Sequence, residues 1–228
     1  MKRKKGGVLV ALEDGMYSVD LKSGVVEKLI RDPEEGNEKK RYNDGKCSPN
    51  GSFYIGSLDK GEKFEENPGS LYRIDCQHNI SKVVEGVGCS NGIAWRSDKK
   101  KVYYIDSTPK SLYSFDFDEK TEEWSNKKTV KKWEEMIPDG CTIDSEDKLW
   151  IAFWASACVC RVDPESGETL EKISVPAKNC TSVALGGKQL RDLYITSATC
   201  EGEEDLGGSL FVLRQVDVPG VESFAYAG

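Results

Sequence analysis

Short apolar runs rich in β-branched and aromatic residues recur along the chain, each closed by polar, turn-forming residues. One set reads Val8-Leu9-Val10-Ala11, Phe53-Tyr54-Ile55-Gly56, Val102-Tyr103-Tyr104-Ile105, Leu149-Trp150-Ile151-Ala152 and Leu193-Tyr194-Ile195-Thr196. Their length and composition are those of β-strands. A second set follows the first: an apolar or aromatic pair, a variable residue, an apolar residue and usually Asp. Its copies are Met16-Tyr17-Ser18-Val19-Asp20, Leu71-Tyr72-Arg73-Ile74-Asp75, Leu112-Tyr113-Ser114-Phe115-Asp116, Val159-Cys160-Arg161-Val162-Asp163 and the degenerate Leu210-Phe211-Val212-Leu213-Arg214. From Tyr17 to Tyr72, Tyr113, Cys160 and Phe211 the steps are 55, 41, 47 and 51 residues. Three copies run on into turn-forming residues, as in Asp20-Leu21-Lys22-Ser23-Gly24 and Asp163-Pro164-Glu165-Ser166-Gly167, which suit hairpin loops. A third set precedes the first: Asn43-Asp44-Gly45, Ser90-Asn91-Gly92 and Pro138-Asp139-Gly140, with the glycines 47 and 48 residues apart.

Several short strands per unit of about 40 to 50 residues, repeated without intervening helices, predict an all-β protein of the β-propeller class, each unit a four-stranded blade. A β-sandwich would need three registers to advance together by accident. No Pro/Ser-rich stretch divides the chain, so residues 1–228 are expected to form a single domain. In a propeller, polar residues just before each inner strand meet around the central channel, which selects Asn43, Asp44, Asn91 and Asp139. Carboxylate and carboxamide oxygens of this kind suit a divalent cation, and Arg41 would add a fork of donors beside them. The same Asn-Gly and Asp-Gly pairs are turn formers anywhere, and residues alone leave both readings open.

Composition narrows the partners. The 228 residues are 38% apolar and 31% charged, with a net charge of −7, as in a globular protein with no general attraction to a phosphate backbone. Neither nucleic acid nor a membrane is expected as a partner, since no apolar run approaches the ~18 residues of a spanning helix. The eight cysteines include no Cys-x-x-Cys pair and share the chain with one histidine, His78. That argues against a zinc knuckle or a Cys/His nucleophile and for reduced thiols in a cytoplasmic protein. Lys127 to Lys132, flanked by glutamates, reads as a solvated strand, and His78 as an exposed residue in a polar turn. The acidic segment from Glu201 to Asp205 lacks the spacing of an EF-hand.

Arg41-Tyr42-Asn43-Asp44-Gly45-Lys46, Ser90-Asn91-Gly92-Ile93-Ala94-Trp95, Tyr103-Tyr104-Ile105-Asp106-Ser107, Pro138-Asp139-Gly140-Cys141-Thr142-Ile143-Asp144, Leu149-Trp150-Ile151-Ala152 and Tyr226-Ala227-Gly228 together resemble the regucalcin, gluconolactonase and luciferin-regenerating enzyme family. The resemblance covers nearly the whole chain. It implies a six-bladed propeller with one divalent cation (Zn, Mn, Ca or Mg) and hydrolysis of a small-molecule sugar lactone such as gluconolactone. It further implies that Asn91 and Asp139 are metal ligands, that Asp139 is also the general base, and that Arg41 and Asn43 contact substrate. Asp44 is read as a turn residue. The family's remaining ligand, a Glu of its opening blade, lies ahead of the segment matched here, and about five blades are represented. The chain is therefore expected to be N-terminally shortened relative to the family. The alternative within the same family is a non-catalytic calcium-binding propeller with an incomplete metal site.

Overall fold

The computed structural model describes residues 1–199 and 206–228, so Cys200 and the acidic segment from Glu201 to Asp205 lie outside the described residues. Among the described residues eighteen strands form five antiparallel sheets, each made of strands consecutive in sequence. Blade 1 holds β1 (Val8–Leu12), β2 (Gly15–Val19) and β3 (Val26–Arg31). Blade 2 holds β4 (Lys40–Cys47), β5 (Phe53–Asp59), β6 (Gly69–Ile74) and β7 (Ile80–Val87). Blade 3 holds β8 (Ser90–Trp95), β9 (Lys101–Asp106), β10 (Ser111–Phe117) and β11 (Trp124–Lys132). Blade 4 holds β12 (Ile137–Ile143), β13 (Leu149–Trp154), β14 (Cys158–Val162) and β15 (Thr169–Ser174). Blade 5 holds β16 (Asn179–Gly186), β17 (Asp192–Ala198) and β18 (Leu210–Leu213). These are the meander sheets of a β-propeller. The described residues give five blades, against the six that the resemblance implies.

Every apolar run of the first set lies in the second strand of its four-stranded blade or its equivalent, and every copy of the second set lies in the strand after it. At Asp20, Asp75 and Asp163 the Asp that ends the second pattern turns the chain, whereas Asp116 stays inside β10. Asp20 Oδ1 accepts the main-chain N–H groups of Lys22 and Ser23 at 2.9 and 2.7 Å, and Gly24 enters the left-handed region at φ 73°. Asp163 repeats the arrangement, accepting from Glu165 N at 2.9 Å ahead of Gly167 at φ 77°. An aspartate that closes on the backbone two residues ahead, followed by glycine, is a turn with a local cause.

The chain divides into two compact units, Met1–Ser90 with Ser223–Gly228, and Asn91–Glu222. In the second unit, β13 shows why its sequence is apolar throughout. Leu149, Ile151 and Phe153 enter one core cluster with Tyr103, Ile105 and Cys141, while Trp150 and Ala152 enter another with Cys180, Val183 and Ile195. Side chains alternate across a strand, so a strand buried on both faces carries no polar positions. The strand β12 packs against β9 and β16 in the same unit. In the first unit, Leu9, Met16, Tyr42, Phe53, Ile55, Tyr72 and Tyr226 share a core.

Within that first unit, the segment Ser223–Gly228 is tied to the start of the chain. Tyr226 N donates to Lys2 O at 2.9 Å and Lys4 N to Tyr226 O at 2.7 Å. The Tyr226 side chain is fully buried, and its hydroxyl donates to Asp75 O at 2.9 Å. With that hydrogen committed, His78 Nδ1, 2.8 Å away, is the donor to the phenol oxygen. The expectation of an exposed, inert His78 is thereby corrected: its ring is half-buried and hydrogen-bonded. Lys127 to Lys132 do lie on a largely exposed strand, β11. Seven described cysteines are present as thiols. Among the described residues no helix is long and apolar enough to cross a membrane.

Candidate active site

The polar-Gly triplets do not form turns; all three lie inside the first strands of their blades. Two of them sit at a β-bulge. Tyr42 pairs with Ser57 and Gly45 with Ile55, so Asn43 and Asp44 together oppose one residue, Gly56. Pro138 pairs with Phe153 and Cys141 with Ile151, so Asp139 and Gly140 oppose Ala152. The register of β16 also shifts between Cys180 and Ser182, which makes Thr181 its extra residue. A bulge releases a side chain from the regular pleat and re-aims it, and bulges are enriched beside active sites.

The shared register corrects the alignment that the glycines suggest. Since Ile55 and Ile151 occupy matching places, Gly45 corresponds to Cys141 and the first bulge residue of blade 2 is Asn43. Asn43, not Asp44, therefore stands where Asp139 stands in blade 4. Asp44 takes the second bulge place, its Oδ1 accepting from Gly45 N at 2.7 Å. Burial pushes its carboxyl pKa above the ordinary value, against the opposing charge of Lys46.

Arg41 and Asn43 are brought together in the first unit. Arg41 Nη1 donates to Asn43 Oδ1 at 3.1 Å and to Tyr42 O at 3.0 Å, while Asn43 Nδ2 donates to Ser90 O at 2.8 Å. The Asn43 amide is thus oriented from both ends, and the exposed guanidinium stays against its own strand. In the second unit Asn91 is buried, and its Nδ2 donates to Ser107 Oγ at 2.6 Å. Ser107 Oγ in turn donates to Pro138 O at 2.5 Å, the carbonyl immediately before Asp139. Asn91 is in this way bonded, through one hydroxyl, to the bulge that carries the half-buried Asp139.

Close approach of the two strands requires Gly92. A Cβ there would lie 2.6 Å from Cys141 Sγ, 2.9 Å from Cys141 N and 3.0 Å from Asp139 O. Main-chain atoms cannot swing aside as a side-chain tip can. Gly92→Ala is expected to cost roughly 1–3 kcal/mol by overpacking, seen as an earlier urea midpoint; an unchanged midpoint would mean that β8 and β12 separate freely.

Ser107 is a residue that sequence reasoning passed over. It closes the Tyr103-Tyr104-Ile105-Asp106-Ser107 stretch, but its partners lie 16 and 31 residues away, and a lone serine has no spacing signature.

Asn91 and Asp139 would offer a cation one carboxamide and one carboxylate oxygen. These are hard donors, suited to Ca²⁺, Mg²⁺ or Mn²⁺ with water completing the shell. Among the described residues no group of three or more His, Cys, Asp or Glu could hold a metal. The pair thus fits an oxygen-seeking ion better than the three nitrogen- and sulfur-rich ligands usual for catalytic zinc.

The described residues form five antiparallel blades, three of which carry a bulge in the first strand, and these define a β-propeller. Residues 1–199 match the SMP-30/Gluconolactonase/LRE-like region, and the chain belongs to that family. It is 36% identical to the regucalcin of Danio rerio over 236 residues, covering 99% of this chain and 79% of that one. A solved luciferin-regenerating enzyme superposes with a TM-score of 0.88 at 28% identity, over 96% of this chain and 77% of the other. A calcium-binding protein, regucalcin, from Agrobacterium tumefaciens superposes with a TM-score of 0.90 at 24% identity, over 99% of this chain and 77% of that one.

Proposed function

We propose that this protein hydrolyses sugar lactones, with Asp139 as general base and with Asn91 and Asp139 as oxygen donors to one divalent cation. The observation that carries the reading is the Asn91–Ser107–Pro138 hydrogen-bond chain, which ties a buried, oriented amide to the bulge bearing a carboxylate. Family membership supports the substrate class. When bound, the cation would polarise the lactone carbonyl and stabilise the oxyanion of the addition step. Asp139 takes a proton from the water whose oxygen adds to the carbonyl carbon, and returns it to the ring oxygen as the ring C–O bond breaks. The product is the open hydroxy acid. Arg41 donates to substrate oxygens, and Asn43, with its amide already oriented, adds a second polar contact that fixes the ring.

One observation favours a second reading, a calcium-binding propeller without turnover: the curated relative at 36% identity carries the name regucalcin. Hydrolysis of D-glucono-1,5-lactone, followed by base uptake at constant pH, separates the two. Turnover abolished by EDTA and restored by Ca²⁺ or Mn²⁺ is expected. A folded protein that binds Ca²⁺ in calorimetry yet shows no turnover would replace the first reading with the second.

A further inference from the structure

We infer that Ser107 is a positioning residue that fixes which atom of the Asn91 amide is presented for ligation, and that it couples this amide to the Asp139 bulge. The role in ligation rests on the lactonase reading; the orientation itself rests on geometry alone.

A serine hydroxyl carries one hydrogen and two lone pairs. At Ser107 that hydrogen goes to Pro138 O, a main-chain carbonyl of a buried residue 2.5 Å away. Ser107 is itself 8% exposed, so solvent is a poor substitute for either partner. With its hydrogen committed, Ser107 Oγ can only accept from the atom 2.6 Å away on Asn91. A donor fits there, and an oxygen does not. The Asn91 Nδ2 is therefore held toward Ser107 and Oδ1 is directed to the opposite side of the amide. This matters because an amide ligates a hard cation through oxygen and never through its NH₂ group. Rotation of Asn91 by half a turn would bring two acceptors together at Ser107 and present nitrogen to the cation.

The same hydroxyl acts on the second donor. Pro138 has no N–H, and its carbonyl immediately precedes the bulge where the β12–β13 ladder is interrupted. The bond from Ser107 holds that carbonyl from a different blade, the residue that follows β9 bracing β12. Asparagine at 91, serine at 107 and a carbonyl at 138 thus form a directional chain in which the serine hydroxyl has one hydrogen to give and gives it to the carbonyl. Partners that orient a ligand in this way typically contribute 10–100-fold to metal affinity.

The test uses the full chain and begins without metal. The side-chain amide ¹⁵N–¹H pair of Asn91, assigned by its disappearance in Asn91→Ala, is expected to exchange slowly with solvent. Ser107→Ala should accelerate that exchange at least tenfold and weaken Ca²⁺ binding in calorimetry about 10–100-fold. Ser107→Thr, which keeps the hydroxyl, should restore both. If Ser107→Ala fails to fold, Ser107→Cys preserves volume but bonds weakly, and the same two readouts should move in the same direction. A folded Ser107→Ala or Ser107→Cys protein with unchanged amide exchange and unchanged Ca²⁺ affinity would overturn the inference. Should the native chain bind no cation and turn over no lactone, the lactonase reading fails, and the metal-free amide exchange decides the role of Ser107 in orientation by itself.

Discussion

Asp139→Asn is expected to lower lactone hydrolysis about 10²–10⁴-fold, the contribution of a positioned general base, while leaving thermal unfolding essentially unchanged. The substitution keeps the shape of the side chain and one oxygen, and removes the ability to take a proton at neutral pH. Asp139 is half-buried and lies in the β12 bulge, outside the paired positions on either side, so the ladder between β12 and β13 does not depend on its charge. Initial rates of D-glucono-1,5-lactone hydrolysis at saturating metal, together with the melting temperature, separate chemistry from folding. A variant that retains wild-type kcat would remove Asp139 from the base role. A loss of rate that excess Ca²⁺ or Mn²⁺ fully repairs would reduce it to a ligand.

The largest effect on stability is expected from a residue that has no part in the chemistry. Asp144 follows β12 with a side chain fully shielded from solvent. Its Oδ1 accepts from Glu146 N at 2.9 Å and Lys148 N at 3.0 Å, and its Oδ2 accepts from Arg161 Nε at 2.7 Å. Asp144→Ala would leave two main-chain donors and a largely buried guanidinium without their acceptor. Breaking such a pair from one side costs about 3–5 kcal/mol, a large share of the roughly 5–15 kcal/mol that holds a domain folded. Glu146 also accepts from Arg161, at 2.8 Å, but its side chain is 59% exposed. Glu146→Ala is therefore expected to stay within about 1 kcal/mol of the native protein. Urea midpoints of the two variants measure the contrast, and equal midpoints would mean that the Arg161 charge is satisfied elsewhere.

The fold was readable because its signals are local. Apolar runs such as Leu149 to Phe153 declare a strand buried on both faces, and Asp20 and Asp163 declare the turns through bonds to residues two or three positions ahead. The bulges were not readable, because an extra residue in one strand is defined only against its partner. That is why Asp44 aligned with Asp139 on glycine spacing, whereas pairing with β5 assigns the place to Asn43. The resemblance supplied candidate roles for Arg41, Asn43, Asn91 and Asp139. The structure adds the Arg41–Asn43 pairing and the Ser107 link, each set by where a particular hydrogen goes. Such bonds join residues distant in sequence, and no residue type announces them in advance.

The three bulges also bear on how chemistry can diverge on this scaffold. Asn43, Asp139 and Thr181 stand at the same place in the strand registers of blades 2, 4 and 5, yet they are an amide, a carboxylate and an alcohol. Each lies outside the one-to-one pairing of its neighbours, although Thr181 still bonds across to Thr196 through their hydroxyls. The repeat thus supplies sockets of common geometry, where one side chain can be exchanged for another by drift while selection on folding acts on the rest of the blade.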